Sequence, residues 1–277
     1  MENIINGFYE GERPLFRGKD LFIKDTVFSV GESPLKESES ITLENSVFEW
    51  KYPLWYAKDV TAKNCVWKQM ARAGVWYSQN VSVCDCRIDA PKNFRRSKDI
   101  RVENVVFSDA AETFWQCDGV RIKNVTAKGD YLMMNCSDVV VDGLDLNGNY
   151  CFDGAKNVRV ENSRLMSKDA FWNCENVTVV NSVISGEYIG WNSKNLALID
   201  CTVQSLQGFC YIENLKIENC KLAGTSLAFE YSTVEADVTG SIDSVFNPTA
   251  GMISADSIGE LIMDENSKAR TKIIIKR

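Results

Sequence analysis

The sequence predicts an all-β chain, a single-stranded right-handed parallel β-helix (a solenoid) of about 11–12 turns with irregular N- and C-terminal caps. Three observations carry that reading. A five-residue pattern recurs eleven times at steps of 19 to 21 residues. Apolar and polar residues alternate with a period of two inside each unit. Asn, Asp or Gly closes the pattern at the same place every time.

The pattern is plain at Leu21-Phe-Ile-Lys-Asp, Ile41-Thr-Leu-Glu-Asn, Val60-Thr-Ala-Lys-Asn, Val81-Ser-Val-Cys-Asp and Ile100-Arg-Val-Glu-Asn. It continues at Val120, Val139, Val158, Val177, Leu196 and Leu215. Its first and third positions are aliphatic, as in Val158 and Val160, and its second and fourth are mostly polar, as in Arg159 and Glu161. Residues two apart share a face of a strand, so the aliphatic pair points inward. The fifth position, from Asp25 and Asn45 to Asn219 with Gly143 the exception, is taken by residue types that tolerate a left-handed backbone. A bend is expected there. Two further short strands and a second polar bend complete each turn, with Phe28, Phe48, Trp67 and Phe107 inward on the second strand and Leu54, Phe94, Phe114, Phe152, Phe171 and Phe209 on the third. Helical repeats fail, because no stretch has a 3.6-residue period.

One domain is expected over residues 1–277: a lead-in or cap over 1–20 with Phe8 and Leu15 inward, eleven regular turns over 21–233, and irregular last turns with a C-terminal cap over 234–277. A twelfth, weaker turn starts at Val234, Ile258–Met263 reads as a strand, and the tail from Thr271 reads as a terminal strand.

Composition excludes several chemistries. The 277 residues contain no histidine, which removes Ser-His-Asp and Cys-His nucleophile pairs, HExxH zinc sites and imidazole pH switches. A net charge of −7 opposes phosphate backbones and anionic lipid, so neither nucleic acid nor membrane is an expected partner. No apolar run approaches the ~20 residues that span a bilayer, and the first residues lack a basic and apolar leader. Ten cysteines without a CxxC pair read as reduced, buried hydrophobes of a cytoplasmic protein. Cys84 and Cys86, two apart, are expected on one face. Asp145-x-Asn147-x-Asn149 starts like a calcium loop, but Tyr150 stands where that loop needs Gly, so no metal and no other cofactor is expected.

One row on the turns is unusual. The fifth residue before each new turn includes Trp55, Trp76, Arg95, Trp115, Met134, Asp153, Trp172 and Trp191, so five of the seven tryptophans share one outward ladder. Beside it run Tyr56, Tyr77, Arg96, Gln116, Asn135, Asn173 and Asn192. Flat rings with polar neighbours suit sugar faces and sugar hydroxyls, which makes Trp55, Tyr56, Trp76, Tyr77, Arg96, Trp115, Asn135, Trp172, Asn173, Trp191 and Asn192 the candidate ligand-binding set. Rings stacked on one another would instead stiffen the coil. Trp50 and Trp67 lie off the ladder and read as packing. Candidate catalytic groups are Asp153, Asp169 and Glu187 on three successive turns, with Glu112 and Arg95 nearby. Carboxylates one or two turns apart reach the separations used in glycoside cleavage, and Arg95 is the alternative base, a demanding role given its pKa.

The arrangement resembles the pectin-lyase-like right-handed β-helix superfamily. The stretches Gly31-Glu-Ser-Pro-Leu-Lys, Lys51-Tyr-Pro-Leu-Trp-Tyr, Ala71-Arg-Ala-Gly-Val-Trp-Tyr, Ala90-Pro-Lys-Asn-Phe-Arg-Arg, Lys168-Asp-Ala-Phe-Trp-Asn and Ser185-Gly-Glu-Tyr-Ile-Gly-Trp-Asn are similar to an uncharacterised microbial family within it, a domain of unknown function. The resemblance covers nearly the whole chain and implies the fold. The wider superfamily implies carbohydrate chemistry, especially on polyuronates, and no catalytic residue carries over from it. Two functions are therefore expected: a carbohydrate-binding β-helix acting on an acidic oligosaccharide as lyase, hydrolase or isomerase, or a non-catalytic structural or protein-interaction solenoid. The sequence leaves the oligomeric state open.

Overall fold

The computed structural model describes residues 2–276. The chain is built almost wholly of short parallel strands, with one six-residue helix, Glu265–Arg270, among the described residues. It divides into two compact units, Met1–Asp145 and Leu146–Arg277, each a parallel coil.

In the first unit, Lys19–Lys24, Glu39–Glu44, Lys58–Lys63, Gln79–Cys84 and Lys98–Phe107 lie side by side, in parallel. Their register runs Leu21, Ile41, Val60, Val81, Ile100, Val120, the row set by the sequence period. The inward side chains are buried, and on the second strand their rings stack turn on turn: Phe28 and Phe48 at 4.9 Å, Phe48 and Trp67 at 5.1 Å. Asp25, Asn45, Asn64, Asp85, Asn104 and Asn124 take φ values between 48° and 55°. Their side chains also pair vertically, with Asn45 Nδ2 donating to Asp25 Oδ1 at 3.0 Å and Asn104 Nδ2 to Asp85 Oδ1 at 3.0 Å. Asn therefore serves each bend twice, by tolerating the backbone and by bonding the next turn.

In the second unit the corresponding row is Val158, Val177, Leu196, Leu215, Val234, Gly251, Thr271. Asn176, Asn195 and Asn214 each donate an amide to the residue one turn earlier, at 3.1, 2.8 and 3.0 Å. The third-strand segment alternates its backbone hand. Asp169, Phe171 and Asn173 have φ of 56°, 62° and 52°, and Phe152, Phe209 and Phe229 repeat the Phe171 geometry. A left-handed bulky residue costs roughly 1–2 kcal/mol. Burying each of these phenyl rings contributes about 1.5–3 kcal/mol, so the inward turn of the ring wins.

Three expectations need correction. Residues 2–20 form a regular lead-in turn of the coil rather than an irregular cap, since Glu2–Ile5 pairs with Leu21–Lys24 in register. Within it Phe8 is 64% exposed, and Tyr9 is the residue that stacks on Phe28 at 5.5 Å. A one-residue offset exchanges faces, and Phe8 pairs with the outward Val27. Residues 234–276 likewise continue the coil through Ala250–Ala255 and Thr271–Ile275, bringing it to about 14 turns. Finally, Asp85 at φ 55° turns the chain between Cys84, half-buried, and Cys86, buried, so the two thiols do not share a face. All ten cysteines are free thiols, and burial pushes the Cys151 and Cys210 thiols up to about 12. Such thiols are poor nucleophiles.

Candidate functional site

The outward row is used differently in the two units. In the first, Trp55 and Trp76 stack at 5.2 Å and 6°, and beside them Tyr56 and Tyr77 stack at 4.9 Å and 10°. Each indole N–H donates to a backbone carbonyl, Trp55 to Ala73 at 2.7 Å and Trp76 to Lys92 at 2.8 Å. Trp55 also meets Tyr52 at 4.5 Å. The Arg95 guanidinium is intercalated between Trp76 and Trp115, 4.7 and 4.8 Å from the ring centres. Glu112 accepts from Arg95 at 2.9 Å and from Lys92 at 3.1 Å, and Arg96 donates to Gln116 at 2.9 Å. Asn135, exposed, occupies a left-handed position next in its row. The rings of this unit spend their faces on one another and on Arg95, leaving mainly edges to solvent.

In the second unit the rings tilt. Trp172 and Trp191 meet at 43°, Trp191 and Tyr211 at 45°, Tyr211 and Tyr231 at 42°, with centroids 5.0 to 6.3 Å apart. Tyr211 and Tyr231 are 42% and 51% exposed. Tyr150 and Tyr188 stand edge-on to Trp172 and Trp191. A polar row runs alongside: Asn192 donates to Asn173 at 2.9 Å, and Asn173 to Asp153 at 3.1 Å. The spacing in the sequence places Trp172 and Trp191 on one row and Asn173 and Asn192 on the row beside it, and it carries no sign of the tilt, which depends on ring packing rather than on spacing.

The candidate acids divide between the units. Asp153 is engaged by Asn173, and Glu112 by Arg95 and Lys92. Asp169 and Glu187 are turn neighbours, the Asp169 N–H donating to the Glu187 carbonyl at 2.8 Å. The Glu187 carboxylate pairs with Lys168 at 3.3 Å on the surface, while Asp169 is only 2% exposed. Burial pushes the Asp169 carboxyl up, opposed by Lys168 and a hydrogen bond from Tyr150, and reinforced by Glu187 and Asp153. Its Oδ1 is buried without a partner, and so is Trp172 Nε1 three residues on. The row ends at a cleft of about 300 Å³ where Tyr231 meets Asn247, Asp264, Ser267 and Arg270. No sequence signal marked this cleft, because the period blurs after Val234.

Among solved structures, the Streptococcus pneumoniae surface protein and adhesin PfbA is 9% identical, over 94% of this chain and 92% of that one, with a TM-score of 0.45. The A-module of an Azotobacter vinelandii mannuronan C-5 epimerase is also 9% identical, over 94% and 91%, with a TM-score of 0.45. A tailspike protein of the E. coli bacteriophage HK620 is 11% identical, over 92% and 61%, with a TM-score of 0.41. No statement about this chain's activity follows from likenesses at that level. No curated protein matches the chain. A family profile matches residues 2–276, essentially every residue of both coils, and the chain therefore belongs to the DUF3737 family, proteins of unknown function.

Proposed function

We propose that the chain binds an oligosaccharide along the turn face of its second unit, over Trp172, Trp191, Tyr211 and Tyr231 with Asn173 and Asn192 beside them. The observation that carries this reading is the contrast between the two ladders. Phenols are exposed in both units, Tyr56 and Tyr77 as well as Tyr211 and Tyr231, so the tilt makes the difference: parallel rings at 6° and 10° shield each other's faces, whereas rings tilted by 42–45° leave partial faces free for the CH side of a pyranose. The charges beside the row are Asp153, Glu187 and Glu230 against Lys168, an excess of carboxylate that disfavours a polyuronate and favours a neutral glycan.

For the first unit we favour the structural alternative. Its stacked rings, intercalated Arg95 and backbone-bonded indoles support a stiffening role for Trp55, Trp76 and Trp115. Should the second unit also cleave glycans, Asp169 is its acid, since it is the buried carboxyl with one oxygen unpaired, and Asp169→Asn then abolishes turnover.

A glycan array read with the wild type, a Trp172→Ala/Trp191→Ala variant and a Trp55→Ala/Trp76→Ala variant tests the reading. Binding is expected for the wild type and the Trp55→Ala/Trp76→Ala variant, and its loss in the other. A wild type that holds no glycan would remove the carbohydrate function and leave the interaction solenoid.

A further inference from the structure

The cleft at the end of the second unit's aromatic row differs from the Asn turns of that unit in what its polar groups do. Elsewhere in this unit the turn amides bond one another from turn to turn, as Asn192 to Asn173 and Asn195 to Asn176. Here that pairing stops. The Arg270 guanidinium and the Asn266 amide make no hydrogen bond or ion pair among the described residues. Asn247 Oδ1 accepts from the Asp264 N–H at 2.8 Å, which leaves its amide hydrogens free. Asp264 Oδ1 accepts from the Ser267 N–H at 2.8 Å, which leaves its second oxygen free. Ser267, 3% exposed, lines the cleft, and its buried hydroxyl has no hydrogen-bond partner among the described residues. An unpaired buried hydroxyl costs roughly 1–3 kcal/mol, so this cleft holds a polar group that the fold itself does not satisfy.

We propose that this cleft binds the terminal ring of a neutral oligosaccharide, with Tyr231 as platform and Asn247, Asp264, Asn266 and Arg270 on its hydroxyls. The inference rests on the carbohydrate reading of the same row and adds which part of the glycan is recognised. Tyr231 is 51% exposed and continues the series Trp191, Tyr211, Tyr231 at 5.0 and 5.6 Å. A sugar hydroxyl both gives and takes a hydrogen bond, and the cleft offers donors on Arg270, Asn247 and Asn266 and an acceptor on Asp264. The charges of Arg270 and Asp264 cancel, and Glu265 is paired with Lys268 at 3.1 Å, so the site carries no net bias toward an anion. Among the described residues the row has no ring beyond Tyr231. The Tyr231 N–H donates to the Asn247 carbonyl at 3.0 Å, and Asn266, Ser267 and Arg270 of the helix line the cleft together with Tyr231. A linear glycan lying on the rings therefore has its last ring in the cleft, among the helix side chains.

Calorimetric titration of maltohexaose, cellohexaose, xylohexaose and mannohexaose into the wild type, Arg270→Gln, Asn266→Ala and Trp191→Ala tests this. Both Arg270 and Asn266 are exposed, so their variants fold. At least one hexaose is expected to bind the wild type, about tenfold more weakly with either cleft variant. The polymer of the same linkage is expected to bind in proportion to its chain ends rather than its mass. Equal binding by wild type and both cleft variants, with loss only in Trp191→Ala, overturns the cleft and leaves the row. Binding that follows polymer mass overturns end recognition. No binding of any hexaose by the wild type overturns the row and the cleft together.

Discussion

The Arg95 guanidinium lies flat between rings, 4.7 Å from the centre of Trp76, and takes the place that an aromatic side chain holds one turn earlier. On its other side Trp115 closes the sandwich at 4.8 Å, and Glu112 holds one of its terminal nitrogens at 2.9 Å. Arginine is weakly hydrated and planar, so it is the cation best suited to replace a ring in a stack. Arg95→Ala is expected to destabilise the protein by about 2–4 kcal/mol through two lost cation–π contacts and the gap left between indoles. Arg95→Lys restores charge without planarity and is expected to recover less than half of that. Denaturant midpoints at constant slope measure both, and a wild-type midpoint for Arg95→Lys would mean that planarity contributes nothing.

Asp169 gives stability a pH dependence whose sign follows from its surroundings. Its folded-state pKa is raised, chiefly by burial, so the native state holds a proton that the unfolded chain has already released. The contribution of this group is most favourable below the ordinary carboxylate range of about 4 and declines as pH rises from there to the raised value. Asp169→Asn imitates the protonated form and keeps an acceptor for Tyr150. We expect the variant to melt above the wild type at pH 7 and to converge with it near pH 3. A constant difference at both pH values would show that the carboxyl titrates normally.

Much of this was readable before any coordinates, and the remainder was hidden for physical reasons. The row Leu21, Ile41, Val60, Val81, Ile100 was legible because a slipped register would expose a whole inward face. Phe8 was misplaced because its strand, Phe8–Tyr9, has two residues and so no alternation from which to read a face. The Trp76, Arg95, Trp115 succession was visible as spacing, yet intercalation depends on side-chain direction. The helix Glu265–Arg270 escaped because six residues carry too little periodicity, although Asp264 is a proper cap that accepts from the Ser267 N–H.

Trp67 sets two opposing effects against each other. It is fully buried and stacks on Phe48, and its indole N–H has no partner among the described residues. The pair tilts by 36°, whereas Phe28 and Phe48 lie within 8° of parallel. Trp67→Phe removes an unsatisfied donor worth about 1–3 kcal/mol and leaves a small void of comparable cost. The expected stability is within about 1 kcal/mol of wild type, against a loss of about 3–5 kcal/mol for Trp67→Ala. A loss of the larger size in Trp67→Phe would show that the indole has a partner in solution.

Gly186 shapes the turn that carries Glu187, and its role is separable from that of an ordinary left-handed glycine. A Cβ placed on it would lie 2.0 Å from the Ser167 carbonyl oxygen and 2.5 Å from the carbonyl carbon. Both atoms belong to the neighbouring turn, whose Ser167 N–H donates to the Ser185 carbonyl at 2.9 Å, so neither can retreat without parting the coil. Gly11 offers the contrast: its φ is 87°, but an added Cβ would touch nothing within 4 Å. Gly11→Ala therefore costs only the backbone term, about 1 kcal/mol. Gly186→Ala forces two strands apart and is expected to cost more than about 3 kcal/mol, with altered near-ultraviolet circular dichroism from Trp172 and Trp191. If unfolding experiments ranked the two substitutions equally, the close approach of these turns would not exist in solution, and neither would the contact that brings Glu187 beside Asp169.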